Sequence, residues 1–225
     1  MKKVLIVAAQ PDDKILGLRG TIARLINAGL KAYTLILGEE TTSRDNKREI
    51  SKRKNEMQQL KNNMFKANKI IGISKVFTIN FSDNRFDSVS LLDIVKKIEK
   101  IKNKIKPDTI FTHYRNDLNI DYRKTFEAVL TAARPMEDET VKTIYSFEIL
   151  SSTEWNYPTT LSPNVFFDIS NYLDKKIDSM NCYKAELRDF PHPRSVETIS
   201  NNAKNWGSKV GLKYAEEFKL IRKIN

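Results

Sequence analysis

The chain has 225 residues, of which 40% are hydrophobic and 30% charged, the balance of a globular domain long enough to bury a sizeable core. No apolar run approaches the ~18 residues that a membrane helix needs, which excludes such a span. Lys and Arg number 39 against 28 Asp and Glu, a formal charge of +11, and this excess favours anionic partners.

In chain order, the first element is an apolar run over Lys3–Ala9. Two lysines followed by apolar residues would also open a signal peptide. The run stops at Gln10-Pro11-Asp12-Asp13 with no small-residue cleavage site, so it reads as a buried strand. Ile15, Ile22, Leu25 and Ile26 then recur on one helical face and stop at Gly29, a suitable C-terminal cap. Further strands are expected at Lys31–Leu37, Lys75–Ile79, Thr109–His113, Thr143–Leu150 and Val165–Ile169. A helix from Leu91 to Ile105 should end before Pro107, and one around Phe126–Ala133 before Pro135. Strands alternating with helices predict an α/β, three-layer Rossmann-like fold with a mostly parallel sheet.

The whole chain, 1–225, is expected to form a single domain. From about residue 153, Pro158, Pro163, Pro191 and Pro193 break the sequence into loops and helices that would cap the sheet edge. The lone cysteine, Cys182, excludes an internal disulfide, fits a reducing cytoplasm and is expected to be buried. The densest basic stretch runs from Arg44 to Lys69. Lysines are nevertheless spread along the whole chain, no aromatic platform interleaves them, and no DNA- or RNA-binding motif is present. Nucleic acid is therefore disfavoured against a small anion such as a sugar phosphate or sugar nucleotide.

In a fold of this class the ligand lies at the carboxyl ends of the strands, and the polar residues gather there. Strand one ends in Gln10-Pro11-Asp12-Asp13-Lys14 and strand two in Gly38-Glu39-Glu40. The third leads to Asp83-Asn84-Arg85, and the fourth to a run from His113 to Arg123 that holds Asp117, Asn119, Asp121 and Tyr122. Acid, amide and guanidinium groups at four strand ends predict a pocket.

These segments resemble the PIG-L/LmbE-type N-deacetylases over nearly the whole chain. That family opens with a strand followed by Ala-His-Pro-Asp-Asp-Glu and has a later Asp-x-x-x-Asp-His segment. Gly38-Glu39, Asp83-Asn84-Arg85, Asp117-Leu-Asn-Ile-Asp121, Arg134-Pro135, Ser151-Ser-Thr-Glu-Trp155 and Pro191-His-Pro-Arg-Ser195 resemble a bacterial subgroup of it. The resemblance implies a zinc held by the first His, the second Asp and the later His, with the first Asp as general base. Carried over, the base is Asp12 and the second Asp is Asp13. The two histidine positions hold Gln10 and Tyr122, and the Glu position holds Lys14.

Zinc prefers imidazole, thiolate and carboxylate ligands. An amide oxygen is a weak donor, and a phenol with a reference pKa of ~10 ligates well only as phenolate. No cofactor is therefore expected here, although the family uses Zn²⁺. The expected function is binding of a sugar or sugar nucleotide with little or no hydrolysis. The alternative is an active N-deacetylase that holds its metal differently.

Other roles stay open. Asp12 and Asp13 could cap the helix that follows. His113 fits a core histidine, and His192 a pocket residue with a catalytic role. Lys14, Glu39, Arg85, Asn119, Asp121, Arg123 and Arg194 are the candidate substrate-binding residues. Arg19, Arg85, Arg123 and Arg194 would help attract an anion, and Trp155 could line a sugar site.

Overall fold

The computed structural model describes residues 1–11, 13–39 and 50–225, with residues 13–15 and 50–52 described as backbone only. The order of elements is β1 (Lys3–Ala8), α1 (Asp13–Asn27), β2 (Lys31–Gly38), α2 (Ile50–Ile71), β3 (Lys75–Phe81), α3 (Leu91–Ile105) and β4 (Thr109–His113). There follow α4 (Ile120–Ala132), β5 (Thr143–Phe147), β6 (Val165–Asp168), α5 (Leu173–Asn181), α6 (Val196–Lys209) and β7 (Ala215–Lys223). Among the described residues no helix is long and apolar enough to cross a membrane.

The sheet order is β3-β2-β1-β4-β5-β7-β6. The first five strands are parallel, and β7 runs antiparallel between β5 and β6. Helices α1 and α2 carry the chain from β1 outward to β3, and α3 and α4 carry it back through β4 to β5. Right-handed crossovers place these pairs on opposite faces. β1 and β4 are neighbours from which the chain departs in opposite directions, so a crevice opens at their carboxyl ends.

β1 is buried along its length after Lys3, as a strand covered on both faces must be. α3 turns Ile94, Val95, Ile98, Ile101 and Ile105 inward and ends at Lys106, whose φ of 53° closes the helix just before Pro107. α4 starts earlier than its apolar residues indicate, because the Asn119 side chain accepts a hydrogen bond from the Asp121 amide and caps it. α1 lies hard against the sheet. A β-carbon on Gly17 would sit 2.6 Å from the Glu148 carbonyl oxygen, and one on Gly20 would sit 2.8 Å from Ile169. These two glycines let α1 approach the ends of β5 and β6 closely.

Three expectations need correction. β7 was not anticipated, because Glu216 and Glu217 are buried side by side within it. Glu216 is satisfied by the Gly20 and Thr21 amides and by Lys176 at 2.7 Å. Cys182 is only half-buried, its thiol 3.7 Å from the Asp178 carbonyl oxygen. Arg19 is not at a ligand edge but 1% exposed. It lies where α1, α2 and α5 meet, with Nη1 3.4 Å from Asn68, and burial brings its guanidinium down to about 10.

Glu217 leads to a stability prediction. Burial first, and then the Glu148 carboxylate with which it shares a hydrogen bond, push its carboxyl well above the usual 4.5. The folded chain therefore holds this proton more tightly than the unfolded one. The resulting stability is complete below about pH 4.5 and is lost as pH rises through the raised value. Glu217→Gln, which carries no such proton, is expected to melt on the order of 3 °C above the parent at pH 8 and level with it at pH 4. Parallel melting curves across that range would remove the assignment.

Candidate functional site

The site is built on the carboxyl ends of β1 and β4. The Ala9 amide donates to His113 Nε2 at 2.9 Å, and Gly38 N–H donates to the Ala9 carbonyl at 2.8 Å. His113, fully buried at the end of β4, therefore carries its ring proton on Nδ1. Its ring lies flat on that of Tyr122, with centroids 4.1 Å apart and planes 3° apart, and Phe147 stands 5.0 Å away. His113 is thus the core histidine.

Gln10 and Tyr122 meet directly. The Tyr122 hydroxyl donates to Gln10 Oε1 at 3.2 Å, and Gln10 Nε2 donates to Asp83 Oδ1 at 2.6 Å. All three are at least nine-tenths buried. A neutral amide, a phenol and a carboxylate from β1, α4 and the β3 loop thus form one hydrogen-bonded chain at the two positions discussed above. Tyr183, from the C-terminal third, donates its hydroxyl to the Pro11 carbonyl at 3.2 Å and holds the turn after β1 in place. Asp12 lies outside the described residues, as do the side chains of Asp13 and Lys14 and residues 40–49, with Glu40, Arg44, Lys47 and Arg48 among them.

Several candidate binding residues carry structural bonds. Asp121 is 1% exposed, and its carboxylate accepts the Asn84 and Phe86 amides at 2.7 and 2.9 Å, tying the β3 loop to α4. Asn119 caps α4. Arg123 Nη1 donates to the Asp117 and Leu118 carbonyls at 2.6 and 2.7 Å. Glu39 is buried, with its amide bonded to the Phe81 carbonyl. Arg85 is exposed. Arg194 Nε donates to Ser151 Oγ at 2.8 Å, with Nη1 3.5 Å from Glu186.

Asp117 organises the rim. It is fully buried and accepts the hydroxyls of Ser152 and Thr153, the latter at 2.5 Å, and the Asn119 amide at 2.9 Å. Burial pushes its carboxyl above the ordinary range, and these three donors pull it back. His192 Nδ1 accepts the Arg194 amide at 3.0 Å, and its ring meets the edge of Trp155 at 5.9 Å. Partial burial, with Arg194 and Arg188 nearby, lowers its pKa and keeps the imidazole neutral at physiological pH. The loops around residues 114–119, 151–157 and 189–195 are thereby joined at one end of the sheet.

A cavity of about 490 Å³ opens beside Pro11 and Glu39, walled by Lys54, Leu60 and Lys61 of α2 and by Asn80 of β3. That volume holds one or two sugar rings. Sequence reasoning missed Asp83, Asp117 and Tyr183 as individual residues. The first two lay in segments already singled out, whereas Tyr183 had no local signal because its partner is 172 residues away.

The family model described as PIG-L, GlcNAc-PI de-N-acetylase, matches residues 5–133. A diacetylchitobiose deacetylase from Thermococcus kodakarensis is 23% identical over 98% of this chain and 84% of its own. Among solved structures, the N,N'-diacetylchitobiose deacetylase of Pyrococcus horikoshii, complexed with an inhibitor, superposes with a TM-score of 0.76. It is 18% identical and is covered over 84% of its length by 98% of this chain. A 4-carboxy-2-hydroxymuconate hydratase from Pseudomonas putida superposes with a TM-score of 0.77 at 18% identity, over 100% of this chain and 98% of its own.

Proposed function

Because the chain belongs to the PIG-L family, we propose that it keeps a saccharide pocket at the carboxyl edge of the sheet while the family's zinc hydrolysis has been lost. The observation that carries this reading is the buried Tyr122–Gln10–Asp83 hydrogen-bond chain. The described donors do not fit a zinc centre. Gln10 offers one neutral oxygen, which already accepts the Tyr122 hydroxyl, and His113 Nε2 is taken by the Ala9 amide. A tetrahedral site needs anionic or imidazole donors that are open to the ion. Without a bound dication no water of pKa near 7 is available, and a carboxylate alone does not activate bulk water comparably.

The pocket itself remains suited to a sugar. The cavity beside Glu39 combines polar groups with apolar walls, as small-ligand sites do, and Trp155, His192 and Arg194 form a polar and aromatic cluster on the loops after β5 and α5. Relatives named as deacetylases act on N-acetylated saccharides such as diacetylchitobiose, and the hydratase neighbour indicates that this scaffold accommodates other chemistry.

The test is to measure binding and turnover together. N,N'-diacetylchitobiose and N-acetylglucosamine are titrated by calorimetry while free acetate is assayed, with and without added zinc. Binding without acetate release in either condition is expected. Acetate release that needs zinc and disappears in Asp13→Ala would replace this reading with that of an active deacetylase.

A further inference from the structure

Trp155 is a large aromatic side chain held outward by a turn that is otherwise fully bonded. Glu154 accepts the Ser151 amide at 2.5 Å and the Ser152 amide at 3.2 Å. Thr153 Oγ1 accepts the Ile149 amide at 2.8 Å while donating to Asp117, and Asn156 Nδ2 donates to the Asn116 carbonyl at 2.8 Å. This dense bonding fixes the backbone on both sides of Trp155, yet its indole stays 42% exposed and touches His192 edge-on. A purely structural indole would be expected to bury its area, at roughly 25 cal/mol per Å² of apolar surface. Instead Tyr157, two residues on, and Phe190, two residues before His192, are also exposed, at 80% and 59%.

The surroundings are polar. Arg194 is bonded to Ser151 at the base of the same turn, and His192 presents a neutral ring against Trp155. A pyranose has one apolar C–H face and a rim of hydroxyls. A preformed aromatic face flanked by hydrogen-bonding groups complements both without paying for ordering on binding. Resting on the saccharide reading above, we infer that Trp155, steadied by His192, is a stacking platform for a second sugar ring, so that the preferred ligand is an oligosaccharide rather than a monosaccharide.

The experiment uses the two tryptophans. Trp206 lies under Lys209 Nζ, 3.9 Å from its ring, and against Phe166, so Trp206→Phe leaves Trp155 as the sole indole reporter. In that background N,N'-diacetylchitobiose is expected to shift the emission to the blue and to bind about tenfold more tightly than N-acetylglucosamine, the scale of one aromatic contact. Trp155→Ala should abolish the preference, bringing disaccharide affinity down to that of the monosaccharide as followed by calorimetry, and Trp155→Phe should keep part of it. Equal affinities in the parent, an undiminished preference in Trp155→Ala, or an unchanged emission at saturation would overturn the platform alone. Absence of binding by either sugar would overturn the saccharide reading and the platform together.

Discussion

A variant carrying Gln10→His, Tyr122→His and Lys14→Glu is expected to take up one zinc ion per chain, where the parent takes up none. The two histidines would replace side chains whose ends already meet, with the Tyr122 hydroxyl 3.2 Å from Gln10 Oε1. Both positions are buried at the crevice between β1 and β4. Together with Asp13, the position that the family resemblance assigns to the metal, they would supply two nitrogens and one oxygen of a catalytic zinc set, leaving a fourth position open. Lys14→Glu exchanges a cation for an anion at the residue that follows Asp13 in the chain. Zinc at 100 times its Kd would contribute about 2.7 kcal/mol of stability, or roughly 5–10 °C in melting temperature for a chain of this size. Asp12 should then become the general base of any acetate release, and Asp12→Asn should lower that release by about 10²–10⁴-fold. A folded triple variant without a zinc-dependent melting shift would mean that the crevice has been rebuilt beyond its ligands.

The second large effect is expected at Asp117. Alanine there strands the hydroxyls of Ser152 and Thr153 and the Asn119 amide in a fully buried place. Each unsatisfied donor costs about 1–3 kcal/mol. A total of about 3–5 kcal/mol should lower the melting temperature by on the order of 10 °C. Because the same carboxylate joins the 114–119 and 151–157 loops, saccharide binding should weaken even well below the melting point. Asp117→Asn retains one acceptor and should lie between the two. A melting temperature within 2 °C of the parent in Asp117→Ala would show that Ser152 and Thr153 find other partners.

Much of the scaffold was legible because its strands are either buried on both faces or stopped by proline and glycine. β1, β4 and the end of α3 fall where apolar runs, His113 and Pro107 place them. α2 was harder to see. Among its described residues the buried apolar stripe is Leu60, Met64, Ala67 and Ile71, set in a helix otherwise rich in Lys and Asn. β7 was illegible because its buried acids are satisfied by distant groups, Lys176 and the amides of α1 for Glu216 and the Glu148 carboxyl for Glu217.

The site shows the same division. Gln10 and Tyr122 stood out because a motif points to them. Their joining through Asp83 depends on a loop 73 residues away from Gln10, which no local pattern encodes. Asp121 and Arg123 read equally well as ligand contacts or as structural ties until their partners were in view, and both make structural bonds.

The most direct test of the account is the metal content of the parent protein. The chain is purified without chelator, dialysed against buffer containing a small excess of zinc and then against metal-free buffer, and zinc is counted by elemental analysis. The account predicts far less than one zinc per chain. Near-equimolar zinc that survives dialysis and is lost in Asp13→Ala would contradict it.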